Sequence, residues 1–573
     1  MENILYHSPE WCRKITKVNF FENNNRWKIF YTTLESGGTF GKKNIKMNNI
    51  DSSLSIAASA FTLNTMQKIG LAIGGIGLLI LFVALGYTFP NPTLPLVISL
   101  LTITGGTVLY AHATYSHLPK GIKNNGVWFK SLSSRGALAW VSGIVLTGFY
   151  IILYWFPQYL GLAAAEGATN TGLVALFDPL SQVLAGKVAS QWFVYGTLYT
   201  VAILALGFKF ILKYRNNKYQ QLRTISVMFF QLGFAFMLPA IMESLNQPYY
   251  NFAFMWPLNY YFFDEWHLQG LISSGAFGLF MLLFGIAMFL FISPILTYFY
   301  GKRWYCSWVC GCGGLAETAG DPFRHLSDTS MKAWKIERWM VHAVLVFSMV
   351  MTSAVLFSTL HDSGKGFWVS KPLFVGILVT IIGGFAAILY FKPKYFKQLD
   401  KKILPYVYGI GGFLAVFTVI MLVSGQYNLF FVDSYVLRSN YGFLIGSVFS
   451  GVVGVGFYPI MGSRVWCRFG CPMAAVLGLQ QKFFSRFRIT TNSGQCISCG
   501  NCSTYCEMGI DVRAYAQKGQ DIVRASCVGC GICAAVCPRG VLRLENGSMD
   551  IDVRAEEVRA LHISTKDGIK FEM

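Results

Sequence analysis

Long apolar stretches separated by short polar segments set the pattern of this chain. A helix that crosses a membrane needs about 20 mostly apolar residues, so the pattern predicts a membrane domain over residues 68–461. About ten stretches meet this requirement: 68–88, 94–112, 136–159, 189–212, 223–245, 271–300, 339–360, 372–391, 404–424 and 442–461. We therefore expect an all-α polytopic membrane protein with about ten transmembrane helices.

Composition supports the same class of protein. Hydrophobic residues make up 54% of the 573 residues and charged residues only 13%, whereas a soluble globular chain carries about 25% charged residues. The formal net charge is +20, but the lysines and arginines lie in short loops between apolar stretches. That distribution is typical of membrane orientation rather than of a nucleic-acid surface. We expect a lipid membrane and no nucleic acid among the partners.

Alternate loops differ sharply in basic residues. Twenty lysines and arginines lie in one set of loops, which are 113–135, 208–223, 301–338 and 392–403. Only four lie in the other set, which comprises 89–93, 160–188, 246–270, 361–371 and 425–441. Loops rich in basic residues stay in the cytoplasm. The sequence therefore predicts a multi-pass protein of the bacterial cytoplasmic (inner) membrane, with both termini and all clusters on the cytoplasmic side.

Two cysteine runs near the C-terminus carry the strongest chemical signal. Residues 496–506 read CISCGNCSTYC and residues 527–538 read CVGCGICAAVCP, each with the spacing C-x2-C-x2-C-x3-C. This is the spacing of bacterial two-cluster ferredoxins, in which the fourth cysteine of each run binds the other cluster. Zinc sites use pairs of cysteines rather than triplets followed by a fourth. The runs therefore predict two [4Fe-4S] clusters in an α+β ferredoxin domain.

The same rule assigns ligands to each cluster. One cluster takes Cys496, Cys499, Cys502 and Cys537, and the other takes Cys527, Cys530, Cys533 and Cys506. The two runs differ after their last cysteine, where the second has Pro538 and the first has Glu507. Because of this difference, the sequence does not determine the shape of the loop beside one cluster. The Asn546-Gly547 pair that follows predicts the turn of a small hairpin.

A second cysteine motif occurs twice. The sixth apolar stretch ends in GKRWYCSWVCGCGG (301–314) and the tenth in GSRVWCRFGCPMAA (462–475). The corresponding residues are Gly301, Arg303, Cys306 and Cys310 in the first copy and Gly462, Arg464, Cys467 and Cys471 in the second. Both copies follow a span that exits to the cytoplasm, so we expect both pairs at one membrane edge. If helical, each pair forms a two-thiolate clamp on one face.

Three interpretations of this repeat stay open. The four thiolates can meet in a third metal centre, either an iron–sulfur cluster or a copper site, because thiolates suit both. They can instead be redox-active thiols that pass electrons or handle metal. Buried cysteines that only pack helix ends are the third interpretation, and the repetition of the motif argues against it. The first copy also has an extra cysteine, Cys312, and Pro472 can open the helix after the second copy.

Together these motifs resemble those of the membrane polyferredoxins. A multi-span protein with C-x3-C(P) motifs at its cytoplasmic edge and a C-terminal two-cluster ferredoxin is similar to the NapH-type, NosR-type and CcoG-type proteins. The resemblance covers roughly residues 270–545 and leaves the first five spans unassigned. It implies electron flow between the quinone pool, cytoplasmic donors and an outer-face or metal acceptor. The sequence does not decide whether the chain is an enzyme, although the resemblance includes quinol dehydrogenase subunits.

Weaker signals bear on quinol and flavin. The outer loop 246–270 is rich in aromatic residues, and Asp264, Glu265 and His267 form a weak candidate quinol site there. Aromatic residues also gather at membrane interfaces without any ligand. Thr169 follows Gly-Ala in EGATNTG, as a flavin-bearing threonine would, but its loop is too short for a folded flavin domain. We expect no flavin.

Other polar residues lie on the predicted cytoplasmic side. Those that follow the first cysteine pair are Glu317, Asp321, Arg324 and His325. Three roles are open for them: they orient the cysteine pair, they contact the ferredoxin domain, or they belong to an ordinary solvated loop. Histidines near span ends are His112, His117 and His342. Haem b needs an axial pair from two helices, and nothing else in the sequence supports haem, so we expect none.

The predicted organisation has five segments. They are a cytoplasmic, partly disordered N-terminal tail (1–67), the membrane domain (68–461), the C-x3-C-P motif with a linker helix (462–490), the ferredoxin domain (491–545) and a C-terminal tail (546–573). The leading hypothesis is a membrane-anchored iron–sulfur electron carrier between the quinone pool or a cytoplasmic donor and a partner redox protein. The alternative is a metal (copper) reductase or assembly factor for a respiratory enzyme that uses the C-x3-C thiols. A redox-driven transporter is a third hypothesis, but the spans lack deep clusters of charged residues.

Overall fold

The computed structural model describes residues 15–23, 26–33, 63–116, 136–164, 168–361, 369–391, 404–547, 562–564 and 568–570. The chain has two compact units, Met1–Leu63 and Asn64–Met573. In the first unit the strands Ile15–Asn23 and Arg26–Thr33 form an antiparallel hairpin. The sequence predicts no regular element in this segment. Residues 34–62 of the predicted tail lie outside the described residues.

Ten helices of the second unit are long and apolar enough to cross a membrane. They are Thr65–Ala84, Thr93–Tyr115, Ala137–Trp155, Gln191–Lys213, Lys218–Ser244, Gly275–Tyr300, Met331–Thr359, Lys371–Ile388, Leu404–Val423 and Ser434–Val453. Each corresponds to one predicted span, so the mostly helical architecture is confirmed for the described part of the chain. The helices are consistent with a membrane protein.

Two of these helices begin well before the residue that hydropathy predicts. Met331–Thr359 starts on a polar turn capped by Ser330, whose hydroxyl accepts a hydrogen bond from a backbone N–H of that turn. Ser434–Val453 is capped in the same way by the carboxylate of Asp433. A capped first turn is polar, and a hydropathy window therefore misses it. The last span consequently ends at Val453 rather than at residue 461.

Shorter helical segments connect the long helices and build the C-terminal region. They are Pro157–Leu160, Gly172–Leu176, Asp178–Ala185, Glu265–Ser273, Arg303–Cys306, Gly311–Thr318, Asp321–Leu326, Tyr458–Met461, Trp466–Gly470, Pro472–Phe484, Ser493–Gln495, Asn501–Thr504, Val512–Gln517 and Ile532–Ala535. Two of them, Arg303–Cys306 and Trp466–Gly470, each carry one cysteine of the repeat.

The short helix Gly311–Thr318 packs closely against the long helix Lys218–Ser244 because its contact face is made of glycines. A Cβ atom on Gly311 would lie 2.3 Å from the Gln231 side-chain oxygen, and one on Gly314 would lie 2.2 Å from a methyl of Val227. At Gly314 a larger residue would push this short helix away from its neighbour. The GCGG sequence is thus a packing surface that sets the position of the first cysteine pair.

The C-terminal region folds directly against the helices. Strand Arg488–Thr491 pairs antiparallel with Leu542–Glu545, so the strand that approaches the Asn546-Gly547 turn has its partner earlier in the chain. The return strand predicted after that turn lies outside the described residues. The predicted boundary between residues 490 and 491 falls inside the first strand. One buried cluster runs without interruption from the repeat into this sheet. A last hairpin joins His562–Ser564 to Gly568–Lys570.

Candidate metal centres

Four cysteines of the ferredoxin region line a cavity that reaches the protein surface. The wall of this cavity includes Cys496, Cys499, Cys502 and Cys537. Cys499 is exposed, whereas Cys502 is buried. These four are the residues that the ferredoxin spacing assigns to one cluster. The chain therefore has one candidate cluster site at which a partner can approach from solvent.

The other four ferredoxin cysteines lie deeper. The thiol of Cys533 is within electrostatic range of Cys506, Cys527 and Cys530. Burial raises the pKa of all four thiols, and those of Cys506 and Cys530 reach about 12. Thiols with a raised pKa stay protonated until a bound metal cation stabilises the thiolate, so metal binding here releases protons. These are the four residues assigned to the second cluster.

The backbone of both cysteine loops turns through residues with positive φ. These are Ser498 (58°) and Gly500 (81°) in the first loop, and Gly529 (62°) and Gly531 (74°) in the second. Such turns gather backbone N–H groups into a concave nest that binds anionic groups. Glycine takes this conformation at no steric cost. Both loops therefore fit an anionic group held by thiolates.

The two copies of the C-x3-C motif share one backbone conformation at their start. Gly301 has φ 67° and ψ −179°, and Gly462 has φ 96° and ψ 172°; each ends a helix. This region of backbone space is essentially reserved for glycine. The repeat recognised in the sequence is therefore also a repeat of structure.

The second cysteine of each pair begins a new helix. Cys310 precedes Gly311–Thr318, and Cys471 precedes Pro472–Phe484. In both copies the sulfur accepts a hydrogen bond from the backbone N–H three residues later, over 3.4 Å for Cys471. Pro472 opens its helix as predicted. Each pair flanks a break between helices, so the condition for a two-thiolate clamp on one helical face is not met.

The cysteine pairs lie inside the helix bundle. Gly311 contacts Gln231, which is near the middle of a membrane-length helix. Tyr305, next to Cys306, donates a hydrogen bond of 2.8 Å to the carbonyl oxygen of Ala253. Ala253 belongs to the loop that the sequence assigns to the opposite membrane face.

The pairs therefore lie among the long helices, and their position at a membrane edge stays a prediction. Residues 301–326 fold back among the helices, and residues 246–264 fold in from the other end to meet them. Non-helical backbone at such depth is tolerated where protein surrounds it. The hydropathy pattern does not predict a segment that folds back among the helices. The backbone groups of such a segment form hydrogen bonds with residues that are distant in sequence.

The four cysteines of the two copies come together. Cys306, Cys310, Cys467 and Cys471 are each 6–8% exposed and belong to one buried cluster. Burial raises the pKa of Cys306 to about 12 and also raises those of Cys467 and Cys471. A hydrogen bond from Cys312 lowers the pKa of Cys310 to about 7. The structure thus assembles the four thiols that the sequence offers for a third centre.

The repeat offers one type of ligand. In the part of the chain that the structure describes, no three His, Cys, Asp or Glu side chains are grouped to hold a single metal ion. The ligands at the repeat are thiols alone, and thiolates suit both an iron–sulfur cluster and copper.

The deeper ferredoxin loop rests on the first copy of the repeat. Ser307, which follows Cys306, donates a hydrogen bond of 2.8 Å to the carbonyl oxygen of Val528, which follows Cys527. Lys302 donates at 2.5 Å to the carbonyl oxygen of Ala525. Further donors to the same loop are Tyr219 to Gly529, Gln220 to Cys530 and Gln481 to Cys527, each at 2.8 Å. The two sets of cysteines are therefore neighbours.

Glu507, which follows the first cysteine run, also connects the ferredoxin region to the repeat. It stands where the second run has proline, and it is 1% exposed. Its carboxylate lies 3.0 Å from the Arg464 guanidinium, which also donates to the carbonyl oxygen of Cys306 at 3.2 Å and lies 3.6 Å from the Cys467 sulfur. Because Glu507 follows Cys506, Arg464 connects a cysteine run of the ferredoxin region to both copies of the repeat.

The loop after the first cysteine pair contacts the ferredoxin region, as one of the predicted alternatives holds. Arg324 lies 2.5 Å from the second carboxylate oxygen of Glu507 and 2.9 Å from Asp321. Burial would raise the pKa of Asp321, but Lys209, Lys213 and Arg324 outweigh it and hold that pKa well below its usual range. Arg324 thus ties this loop to the ferredoxin through paired charges.

Buried positive charge exceeds buried negative charge around the cysteines. Three buried carboxylates, those of Asp321, Glu317 and Glu507, form ion pairs there. The buried cationic side chains paired with them are five: Lys209, Lys213, Arg223, Arg324 and Arg464. Lys302 adds a buried ammonium group that contacts a backbone carbonyl. Buried charges are costly unless they are compensated, and an iron–sulfur cluster with four thiolate ligands is anionic. The charge balance therefore fits anionic clusters at the cysteine sets.

The weak candidate quinol residues lie together at the other end of the bundle. Asp264 is 1% exposed, with its carboxylate 3.1 Å from Arg438 and 3.2 Å from the Trp266 indole nitrogen. Burial raises the pKa of Asp264 to about 6, against the opposing effects of Arg438 and Trp266. Glu265 accepts hydrogen bonds from Gln269 and Tyr435, and the His267 ring contacts the Phe262 carbonyl. All three side chains have polar partners that hold this loop in place.

The remaining sequence candidates lie apart from the cysteines. His112 is exposed near the end of its helix, and the His342 ring nitrogen lies 2.5 Å from the carbonyl oxygen of Arg338. His117 falls outside the described residues. Thr169 lies in a short connection between helical segments.

Two family models match parts of the chain. A model described as a 4Fe-4S dicluster domain matches residues 495–542. A model described as a 4Fe-4S binding domain matches residues 274–329 and again residues 443–490. The two matches of the second model contain the two copies of the C-x3-C repeat. No curated protein and no solved structure matches the chain.

Proposed function

We propose that this iron–sulfur protein carries electrons through three adjoining centres, two in the ferredoxin region and a third between the C-x3-C pairs. The observation that carries the proposal is the hydrogen bond from Ser307 to Val528, which joins the residue after Cys306 to the residue after Cys527. Electron tunnelling falls steeply with distance, so adjoining ligand loops favour transfer between their centres. Bound at the repeat, a cluster supplies a group that takes up and releases one electron at a time.

The residues around the centres support this role. Arg464 and Glu507 bridge the loops, and the positive charge buried near them favours electron-rich, anionic centres. The site with the exposed Cys499 is open to solvent, where a cytoplasmic donor or a partner redox protein can dock. The repeat lies among the apolar helices, within reach of a lipid-soluble carrier such as a quinone. In this proposal the helices span the bacterial cytoplasmic membrane with the ferredoxin region inside.

The count of iron tests the proposal directly. Protein purified anaerobically in detergent should contain roughly 12 iron and 12 sulfide atoms per chain, as three cubane clusters require. The double variant Cys306→Ser, Cys467→Ser should retain roughly 8 of each and should lose one component of the electron paramagnetic resonance spectrum of the reduced protein. Cys312→Ser, which changes the extra cysteine, should keep the full content.

Two outcomes would reject the third centre. Wild-type protein with only 8 iron atoms under reconstitution would remove the cluster from the repeat. One equivalent of copper in its place, lost in the same double variant, would favour the metal-handling alternative instead. The described residues give no observation that favours copper.

A further inference from the structure

Arg303 and Arg464 occupy the same position in the two copies of the repeat, but their side chains have different surroundings. Arg464 is 1% exposed. Arg303 is half-buried, and its guanidinium lies over the rings of Phe487 and Tyr219, whose centroids are 4.7 and 5.7 Å away. The two copies therefore differ in the charge that they bring to the repeat cysteines.

The Arg464 guanidinium contacts both cysteine pairs. Its Nη1 atom donates to the carbonyl oxygen of Cys306 over 3.2 Å and to the sulfur of Cys467 over 3.6 Å. The group is also within electrostatic range of the sulfur atoms of Cys306 and Cys310. Gly313 leaves room for it, since a Cβ atom there would lie 3.1 Å from Nη1. One cation thus faces three of the four thiols of the candidate third centre.

Acidic partners do not cancel this positive charge. Two carboxylates pair with Arg464, those of Glu317 and Glu507. Each is shared with a second guanidinium, which is Arg223 for Glu317 and Arg324 for Glu507. Three guanidinium groups thus surround two carboxylates. In the described contacts, Arg464 is the member of this group that reaches a repeat sulfur.

A cation in this position favours the reduced state of a cluster. Reduction adds one electron to an anionic group, and burial disfavours the added charge. Hydrogen bonds to the sulfur atoms and the net charge both change the potential of an iron–sulfur cluster. A guanidinium is always protonated in proteins, so its charge is permanent. It stabilises the reduced state more than the oxidised state, because the reduced cluster carries the larger negative charge.

We propose that Arg464 sets the reduction potential of the third centre and holds it above the value that burial alone would give. This inference rests on the proposed function, because it needs a cluster between the four repeat cysteines. Arg464 acts on the cluster through the ligand sulfur of Cys467 and not by contact with a substrate. One electron enters or leaves the centre, and the guanidinium neither gains nor loses a proton.

A redox titration followed by electron paramagnetic resonance tests the proposal. Full-length protein, purified anaerobically in detergent, is titrated with dithionite. The spectral component that is absent from Cys306→Ser, Cys467→Ser protein reports the third centre. Arg464→Gln should make reduction of this centre about tenfold less favourable, a fall of about 59 mV in its midpoint potential. An unchanged or higher potential in Arg464→Gln protein with all its clusters would overturn the proposal.

Two further variants separate the effect of the charge from an effect on the fold. Arg464→Lys keeps a cation but loses the forked group, so the potential of its third centre should lie between those of wild type and Arg464→Gln. Arg303→Gln changes the corresponding residue of the other copy and should leave that potential unchanged. A fall in Arg303→Gln protein as large as in Arg464→Gln protein, or no recovery in Arg464→Lys protein, would contradict the assignment.

Nitrogen hyperfine spectroscopy tests the contact in wild-type protein. With an isotopic nitrogen label in arginine alone, the reduced third centre should show a weak coupling to labelled nitrogen, because a guanidinium N–H donates to a ligand sulfur. The coupling should persist in Arg303→Gln protein and vanish in Arg464→Lys protein. Its absence from wild-type protein would overturn the proposal even if Arg464→Gln protein failed to fold.

The iron content of wild-type protein separates failure of this proposal from failure of the proposed function. Protein with roughly 8 iron atoms per chain lacks the third centre, which rejects both. Roughly 12 iron atoms per chain, with a potential of the third centre that does not depend on Arg464, reject this proposal and leave the electron-carrier function standing.

Discussion

At the scale of single residues, the ion pair of Glu507 with Arg464 and Arg324 joins parts of the chain that are far apart in sequence. All three side chains are 1% exposed. A charged residue in place of proline after a ferredoxin cysteine is a visible signal in the sequence, and it marks this docking contact. The sequence does not predict the partners of Glu507. Arg324 and Arg464 lie 183 and 43 positions away along the chain, and no local pattern links positions that far apart.

Glu507→Gln should weaken the docking of the ferredoxin region. The change leaves two buried guanidinium groups with less compensation, and breaking such a pair costs about 3–5 kcal/mol of unfolding free energy. Glu545→Gln is the matched control, because its carboxylate is 30% exposed and 3.7 Å from Arg488; it should cost about 1 kcal/mol or less. Thermal unfolding of cluster-loaded protein measures both, and equal effects would contradict the role of Glu507.

Asp264 should make stability depend on pH. Its pKa in the folded protein is about 6, raised from 3.8 chiefly by burial, so the folded state binds the proton more tightly than the unfolded state. The stability it contributes is therefore present below 3.8 and lost as pH rises through 6. The difference in unfolding free energy between wild type and Asp264→Asn should fall over that interval and stay constant above it. Parallel pH profiles would contradict this.

His267 provides a contrast of opposite sign. Burial lowers its pKa from the ordinary value of 6.5, so protonation is less favourable in the folded state. The corresponding penalty appears as pH falls below 6.5. The stability of wild type relative to His267→Gln should therefore rise with pH, and a fall with pH would show that the histidine is not buried as described.

At the scale of elements, the sequence predicts the ten long helices and the two cysteine runs because both have local signatures: apolar length and fixed spacing. It also identifies the repeat through Gly301 and Gly462, which prove to share a conformation that only glycine adopts readily. The depth of the repeat was not predictable from these signals. It depends on close packing of Gly311 against Gln231 and on the hydrogen bond from Tyr305 to Ala253, and neither contact leaves a local pattern.

Gly314→Ala should displace the short helix that begins at the first cysteine pair. The added Cβ would lie 2.2 Å from a methyl of Val227, and such overpacking costs roughly 1–3 kcal/mol. We expect loss of the third cluster with retention of the ferredoxin clusters. Val227→Ala in the same chain should restore it by opening space. Gly105→Ala is the control, since nothing lies within 4 Å of its added Cβ.

Iron content and the reduced-state spectrum of these three variants measure the effect. Unchanged iron in Gly314→Ala, or no recovery in the double variant, would show that the position of this short helix does not determine the third centre.

At the scale of the whole molecule, the three proposed centres lie in series along one buried cluster that extends from the repeat into the ferredoxin sheet. Apolar length predicts the helices, but it does not predict that segments from both ends of the bundle fold inward to meet at the cysteines. That arrangement follows from buried charges and hydrogen bonds between distant segments, such as Ser307 with Val528 and Arg464 with Glu507. What most needs testing is therefore whether the third centre lies close to the ferredoxin clusters.

The most direct test is the electron paramagnetic resonance spectrum of fully reduced protein, compared with that of Cys306→Ser, Cys467→Ser protein. Neighbouring paramagnetic clusters interact, so the account predicts a broadened wild-type spectrum that differs from the sum of separate centres, and a simpler spectrum in the variant. The ferredoxin signals in the variant should narrow because they lose this neighbour. A wild-type spectrum equal to that of the variant, or to a simple sum of non-interacting centres, would contradict the account.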